Sequence, residues 1–245
     1  MNKNEMKSKK EVVEYYDEYT GRQADMGINA RHLSIQRWLE QSGLQKNHDI
    51  LEIGCGIGTQ TELLSNYLNA SAKITAVDIS PKSIEVAKKR LPNRTDIKWV
   101  AEDFIVWPHN DLYDVVLLPD VIEHIPVDLH SELFRKISTN IKDNGFVLIH
   151  IPNPLYLEWC RVNTPKKLQV IDQPIHTDTL VGNTYPHGFH IHFLSTYSIW
   201  VDNCDYTVIV LKKTRNVQYR KYQVTIPSQS IAHRAVSKLK GILKG

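Results

Sequence analysis

No apolar run in the 245 residues approaches the roughly 20 needed to cross a bilayer, so no helical membrane span is expected. Cysteine is scarce: Cys55, Cys160 and Cys204 lie far apart with no metal-type spacing, so neither a disulfide framework nor a zinc cluster is expected. The opening residues MNKNEMKSKKE lack the apolar stretch of a secretory signal, and these features together suit a cytoplasmic protein. No internal repeat or low-complexity segment is visible. Acidic residues are missing from Tyr206 to Gly245, where nine Lys or Arg stand; the other 205 residues carry 21 basic and 27 acidic groups, a balance of −6. A basic tail on an acidic body reads either as a solvated face or as a contact with an anionic partner. In the second case the terminal helix, residues 228–245, would dock peripherally on a membrane.

What is present is an ordinary globular composition, 42% hydrophobic and 23% charged, in a chain long enough for one large α/β domain. Two helices are expected first, one in EVVEYYDEYTGR ending at Gly21 and one over residues 29–41 stopped by Gly43. From residue 45 the chain alternates. Buried strands are expected at DILEI (49–53), KITAVD (73–78), IKWV (97–100), DVVLL (114–118) and FVLIHI (146–151), with amphipathic helices following the first, second and fourth. Ser80 and Pro81 mark a helix start, the serine as cap and the proline at the first helical position. Such alternation predicts a mostly parallel sheet with helices on both faces. Residues 152–192 break the rhythm, and a long excursion inside a domain is expected to serve as a lid over a substrate. Beyond it we expect a helix in STYSIWVDNC capped by Ser195, then YTVIVLK and YRKYQVTI as an antiparallel edge pair, then an amphipathic terminal helix. The organisation is an N-terminal helical cap, residues 1–44, and a domain over residues 45–245.

Between the first strand and its helix stands LEIGCGIGTQT, with glycines at 54, 56 and 58. Glycines here let the backbone approach a ligand, since no Cβ intervenes. A dinucleotide fingerprint needs G-x-G-x-x-G, and this spacing is G-x-G-x-G. Charge sharpens the distinction: Glu52 beside the turn would repel a pyrophosphate and suits a cation. Asp78, ending the second strand, is placed to accept hydrogen bonds from both hydroxyls of a ribose. Glu102-Asp103-Phe104, after the third, suits an exocyclic amine and a stacked purine. A nucleoside carrying an amino acid and a positive sulfur, S-adenosylmethionine, meets all three demands.

LEIGCGIGTQT, AVDIS, AEDFI and DVVLLPDVIEHI together resemble the successive motifs of class I S-adenosylmethionine-dependent methyltransferases, over roughly residues 45–151. The resemblance implies a Rossmann-like seven-stranded sheet and S-adenosylmethionine as cofactor. It implies that Glu52, Gly54, Gly56 and Gly58 surround the methionine part, that Asp78 binds the ribose and Ile79 packs on the adenine. Asp103 would take the adenine amine with Phe104 beside it, and Asp120 would join the cofactor-binding residues. In such relatives the N-terminal helix, here with Tyr15, Tyr16 and Tyr19, closes over the cofactor.

Methyl transfer to a hydroxyl requires alignment and a base, and histidine is the natural base near neutral pH. His124 in PDVIEHIP lies beyond the fourth strand, where open sheets bind ligands. The segment resembles the acid-x-x-Glu-His stretch of small-molecule O-methyltransferases, including those of ubiquinone biosynthesis, in which such positions serve a divalent metal in some members. Here the positions are Asp120, Glu123 and His124, and no metal is assigned. A purely structural His124, bonded beneath the loop, stays open. A second cluster, His187, His190 and His192 with His176 upstream, offers a further base or orienting group, since in an extended FHIHF segment His190 and His192 share a face. The expected reaction is O-methylation of a small molecule, with N- or C-methylation as the alternative. A nucleic-acid acceptor is not expected, because LPDVIEH stands where base-modifying relatives carry an Asn/Asp-Pro-Pro-aromatic run, and the body is acidic.

Overall fold

The computed structural model describes residues 9–169 and 171–213, within the first of two units, Met1–Thr214. The expected strand YRKYQVTI and the terminal helix lie outside the described residues. Seven strands form one sheet: β1 (Ile50–Ile53), β2 (Ile74–Asp78), β3 (Ile97–Ala101), β4 (Tyr113–Pro119), β5 (Ile141–Pro152), β6 (Phe189–Tyr197) and β7 (Tyr206–Lys213). Their order across the sheet is 3-2-1-4-5-7-6, and β7 runs antiparallel to both of its neighbours. This is the Rossmann-like, mostly parallel sheet expected from the alternation. The direction of winding reverses between β1 and β4, which opens a crevice at their carboxyl ends.

Strand periodicity explains the two cores. Leu51, Ile53, Val116, Leu118, Val147 and Ile149 pack on one side, with Phe134 of helix α5 (His130–Asn140). Ile50, Val115, Leu117, Phe146 and Leu148 pack on the other, with Leu64 of α3 (Thr59–Tyr67) and Ile35 and Leu39 of α2 (Ala30–Gln41). Neighbours along each strand thus point to opposite cores, as a sheet covered on both faces requires.

Helix α1 (Lys9–Met26) runs past Gly21, where the sequence predicted its end, and stops before Gly27, whose φ of +55° closes it. One interior glycine costs only about 1 kcal/mol, less than a packed helix gains by continuing. Helix α4 (Pro81–Arg90) begins as expected: Ser80 Oγ accepts from Ser83 N at 3.0 Å and Pro81 follows. The same hydroxyl donates to Asp17 of α1 at 2.5 Å, fastening α1 to the body.

The predicted helix in STYSIWVDNC does not form. Residues 189–197 are instead the edge strand β6, which pairs antiparallel with β7, the expected strand YTVIVLK. The buried carboxylate of Asp205 explains it: it accepts from Ile199 N at 2.7 Å and Trp200 N at 3.0 Å, and Asn203 and Cys204 take positive φ. These demands fold residues 198–204 into a turn and override helical periodicity. The excursion after β5 contains two helices, α6 (Pro154–Asn163) and α7 (Thr177–Thr184). Among the described residues, no helix is long and apolar enough to cross a membrane.

Ser80 joins a helix cap to an interhelical contact. Ser80→Ala is expected to lower unfolding free energy by about 1–2 kcal/mol, read as a reduced urea midpoint with unchanged m-value.

Candidate active site

A cavity of about 930 Å³ sits at the carboxyl ends of β1, β2 and β4, walled by α1 and the start of α2 on one side and by α6 and the segment after it on the other. The glycine loop forms its floor. Gly54, Gly56 and Gly58 all take positive φ, +76°, +52° and +79°. A Cβ on Gly54 would lie 2.2 Å from Val121 Cγ2, and one on Gly58 would lie 2.7 Å from the Trp99 ring. Two of these glycines are therefore required by backbone conformation and by the protein's own side chains, a reason the ligand argument from sequence did not contain. Gly58 does not line the cavity at all; it precedes α3 and admits Trp99.

The acids are placed by the strand ends. Glu52 is fully buried; Thr61 Oγ1 donates to one carboxylate oxygen at 2.6 Å, and the other has no partner among the described residues. Burial pushes its carboxyl up to about 8. Asp78 accepts from Gly56 N at 2.7 Å and Ser80 N at 2.9 Å, so besides facing the cavity it pins the glycine loop to the head of β2. Burial raises its pKa above the ordinary carboxylate value, against those two bonds. Ile79, Asp103 and Phe104 line the same end, and Asp103 also accepts from Ile105 N at 3.0 Å.

The turn after β4 brings Asp120, Glu123 and His124 to the wall. Asp120, with φ +54°, is engaged on both sides: one oxygen pairs with Arg31 of α2, the other accepts from His150 Nδ1 at 2.9 Å. Burial alone would raise this carboxyl; the Arg31 guanidinium and then the His150 imidazole outweigh it and hold the group well below the usual range. Asp120 thus borders the cavity as an anchor for α2, with its oxygens already satisfied, rather than as the ligand contact expected from sequence. His124 Nδ1 lies 2.5 Å from the Ile171 carbonyl oxygen and 3.2 Å from Asp172 Oδ1. A ring nitrogen facing two acceptors carries the hydrogen, so in the neutral ring Nε2 holds the lone pair. Nε2 is 3.7 Å from Glu123 Oε1, and neither oxygen of the buried Glu123 has a hydrogen-bond partner among the described residues. Burial, then the nearby Asp120, pushes Glu123 well above its ordinary value. Tyr16 of α1 meets the His124 ring edge-on at 6.1 Å, and its buried hydroxyl is likewise without a partner among the described residues.

Residues 50–145 match the family described as "Methyltransferase domain". Relatives include malonyl-[acyl-carrier protein] O-methyltransferase of Bacillus anthracis, 33% identical over 133 residues, covering 54% of this chain and 46% of that one. Trans-aconitate 2-methyltransferase of Rhizobium etli is 26% identical over 117 residues, covering 48% and 43%. The chain spans less than half the length of either. Among solved structures, magnesium protoporphyrin IX methyltransferase of Synechocystis PCC 6803, with bound S-adenosylhomocysteine, superposes with a TM-score of 0.65 at 16% identity, covering 84% of this chain and 99% of that one. The N-methyltransferase NodS of Bradyrhizobium japonicum WM9 gives 0.59 at 17%, covering 76% and 95%.

The lining of the cavity fits S-adenosylmethionine, the cofactor of the class I methyltransferases that the sequence motifs resemble. Glu52 Oε1 and both amide atoms of Gln60 are buried in the cavity wall without hydrogen-bond partners among the described residues, so the wall requires a polar occupant. Its acidic floor suits a cation and opposes a pyrophosphate. The histidines of the later segment are not brought here. His190 and His192 lie on β6 outside the cavity lining, and a register shift between Ile191 and Phe193 puts His192 at a bulge, which breaks the shared face expected of the pair. His187 faces Ser131 at 2.9 Å and His176 faces Glu158 at 3.0 Å. Among the described residues no group of three His, Cys, Asp or Glu side chains is arranged to hold a metal. Sequence reasoning missed Arg31, Gln60 and Asp172; Gln60 stands inside LEIGCGIGTQT beside the glycines, whereas Arg31 and Asp172 sit in no motif and only the fold brings them to the wall.

The raised Glu52 pKa has a signed consequence. Between its unfolded value near 4.5 and the folded value of about 8, the native state holds a proton that the unfolded chain releases. Stability of the ligand-free protein therefore falls as pH rises through this window, by at most about 1.4 kcal/mol per unit from this group. Glu52→Gln is expected to flatten the slope of melting temperature against pH between 5 and 8 relative to the unsubstituted chain.

Proposed function

We propose that this protein transfers a methyl group from S-adenosylmethionine to a hydroxyl of a small molecule, with His124 as general base. The observation that carries this reading is His124 itself: a largely buried imidazole on the cavity wall whose Nδ1 is committed to Ile171 and Asp172, leaving Nε2 as proton acceptor. When bound, the cofactor supplies an electrophilic methyl on a positively charged sulfur. The chain's own residues have the remaining tasks. Glu52, Gly54, Gly56 and Gln60 would hold the methionine end, Asp78 the ribose, and Ile79, Asp103 and Phe104 the base. Transfer of the hydroxyl proton to His124 Nε2 would sharpen the nucleophile as attack begins, and the neighbouring Asp172 carboxylate would stabilise the imidazolium that forms. Tyr15 and Tyr16, on the cavity wall, would exclude water and face a cation with their rings.

An amine acceptor is the second reading, supported by the acids Glu123 and Asp172 on either side of His124, which suit an ammonium group. A carboxylate acceptor is disfavoured by the same two side chains. Acidic lining likewise speaks against a nucleic-acid backbone.

Calorimetry against S-adenosylhomocysteine and NAD tests the cofactor: binding of the former alone is expected, and Asp78→Ala should weaken it at least roughly tenfold by removing two backbone anchors and the ribose acceptor. For the reaction, incubation with isotopically labelled S-adenosylmethionine and a small-molecule extract, read by mass spectrometry, should show labelled ethers. His124→Ala is expected to lower their formation by about 10²–10⁴-fold while S-adenosylhomocysteine affinity stays within roughly threefold. Unchanged turnover would remove His124 from the mechanism; labelled amines in place of ethers would select the second reading.

A further inference from the structure

Two side chains outside the proposed reaction hold the turn after β4. His130, the first residue of α5, is fully buried, and its Nε2 lies 2.9 Å from the carbonyl oxygens of both Ile122 and Ile125. A ring nitrogen facing two acceptors carries the hydrogen, so a single N–H serves both carbonyls. Nδ1 is then bare, and it is buried without a hydrogen-bond partner among the described residues. Burial holds the imidazole below its ordinary pKa, against the two carbonyl bonds, and so keeps the ring neutral. An apolar side chain would fill the same place and leave no nitrogen unpaired, so what the imidazole adds here is its hold on the turn.

Gln173, in the excursion after β5, grips the same turn. Its backbone N donates to the Glu123 carbonyl at 2.9 Å and its Nε2 to the Ile125 carbonyl at 2.8 Å. The Ile125 carbonyl thus accepts from α5 and from the excursion at once. The tied residues, 122, 123 and 125, bracket His124, whose own backbone N donates to the Val121 carbonyl at 2.9 Å. Neither His130 nor Gln173 lines the cavity, so neither acts on a ligand directly. What they govern is where the His124 ring points, and a reacting group displaced by about 1 Å can cost about 100-fold in rate.

We propose that His130 and Gln173 are positioning residues: they fix the turn at 122–125 and so aim the His124 imidazole into the cavity. The consequence for turnover rests on His124 being the general base; the placement of its ring does not.

Side-chain nitrogen NMR of the isotopically labelled full-length protein with S-adenosylhomocysteine reads the placement, the His124 signals being assigned by their loss in His124→Ala. At a pH where the ring is neutral, His124 is expected to hold its hydrogen on Nδ1 alone. His130→Leu should convert this to a mixture of both tautomers. It should also slow methyl transfer from labelled S-adenosylmethionine to a small-molecule extract by roughly 10- to 100-fold, with S-adenosylhomocysteine affinity within about threefold. His130→Gln, which keeps an N–H at similar reach, should restore the single tautomer and a rate within roughly threefold of the original. Should His130→Leu unfold, as judged by circular dichroism, Gln173→Ala is expected to mix the tautomers and slow transfer by roughly 3- to 10-fold. The proposal is overturned if a folded His130→Leu protein keeps its hydrogen on Nδ1 alone, or if His130→Gln loses as much as His130→Leu. It is equally overturned if His130→Leu leaves the rate unchanged while His124→Ala abolishes it. A His124→Ala protein as fast as the original would remove the general base and leave the spectrum to decide the placement.

Discussion

Glu52, Asp78, Asp120 and Glu123 share one cavity wall at the ends of three strands, and carboxylates this close in a low-dielectric surrounding cannot all stay ionised without cationic partners. The fold answers for one of them with Arg31 and His150, so Asp120 stays ionised. Glu52 meets a hydroxyl, Asp78 meets two backbone N–H groups, and both are raised. Glu123, buried and near Asp120, is raised as well. The wall is electrostatically unfinished, and a cationic ligand is what completes it. The glycine loop, the α2 anchor and the histidine after β4 are arranged around that demand.

Asp120 shows how the demand is met without collapsing the site. Its pairing with Arg31 holds the start of α2 over the crevice, and its bond to His150 continues to Tyr197, 2.7 Å from His150 Nε2. Tyr197 packs against Trp38 of the same helix. A helix beside the cavity is thus fixed at two points, one ionic and buried, one aromatic. Removing Arg31 would leave a buried carboxylate facing another, Glu123, so the cost would exceed the loss of one ion pair.

The first five strands, the helix starts at Ser80 and Asn29 and the acids at the strand ends were legible in the sequence, because strand-length apolar runs, caps and turn glycines act locally. Edge strand β6 was not. FHIHFLSTY carries no clean alternation, since its bulge at His192 and its exposed Phe193 and Leu194 blur the period. The turn at 198–204 depends on Asp205, a single buried carboxylate whose effect on residues five and six positions earlier no periodicity reports. In the site, Glu52, Asp78 and His124 stand in motifs, as does Gln60, whose unpartnered amide only the fold reveals, whereas Arg31 and Asp172 stand in none. Gly58 was legible as a glycine but not in its purpose, which is Trp99.

The cavity also changes character along its length. Toward the heads of β1 and β2 it is acidic and bounded by backbone; toward α6 it is lined by Tyr156, Leu157, Leu168 and Trp200. The end built on strand ends is held by the most rigid part of the fold, while the end built on the excursion after β5 can vary without disturbing the sheet. The two halves meet at His124, whose Nδ1 contacts belong to the excursion, through Ile171 and Asp172, while its backbone belongs to the turn after β4. Any rearrangement of the excursion would move the acceptors that fix the tautomer of the ring. The ring nitrogen that faces Glu123 is therefore set by the same segment that lines the far end of the cavity.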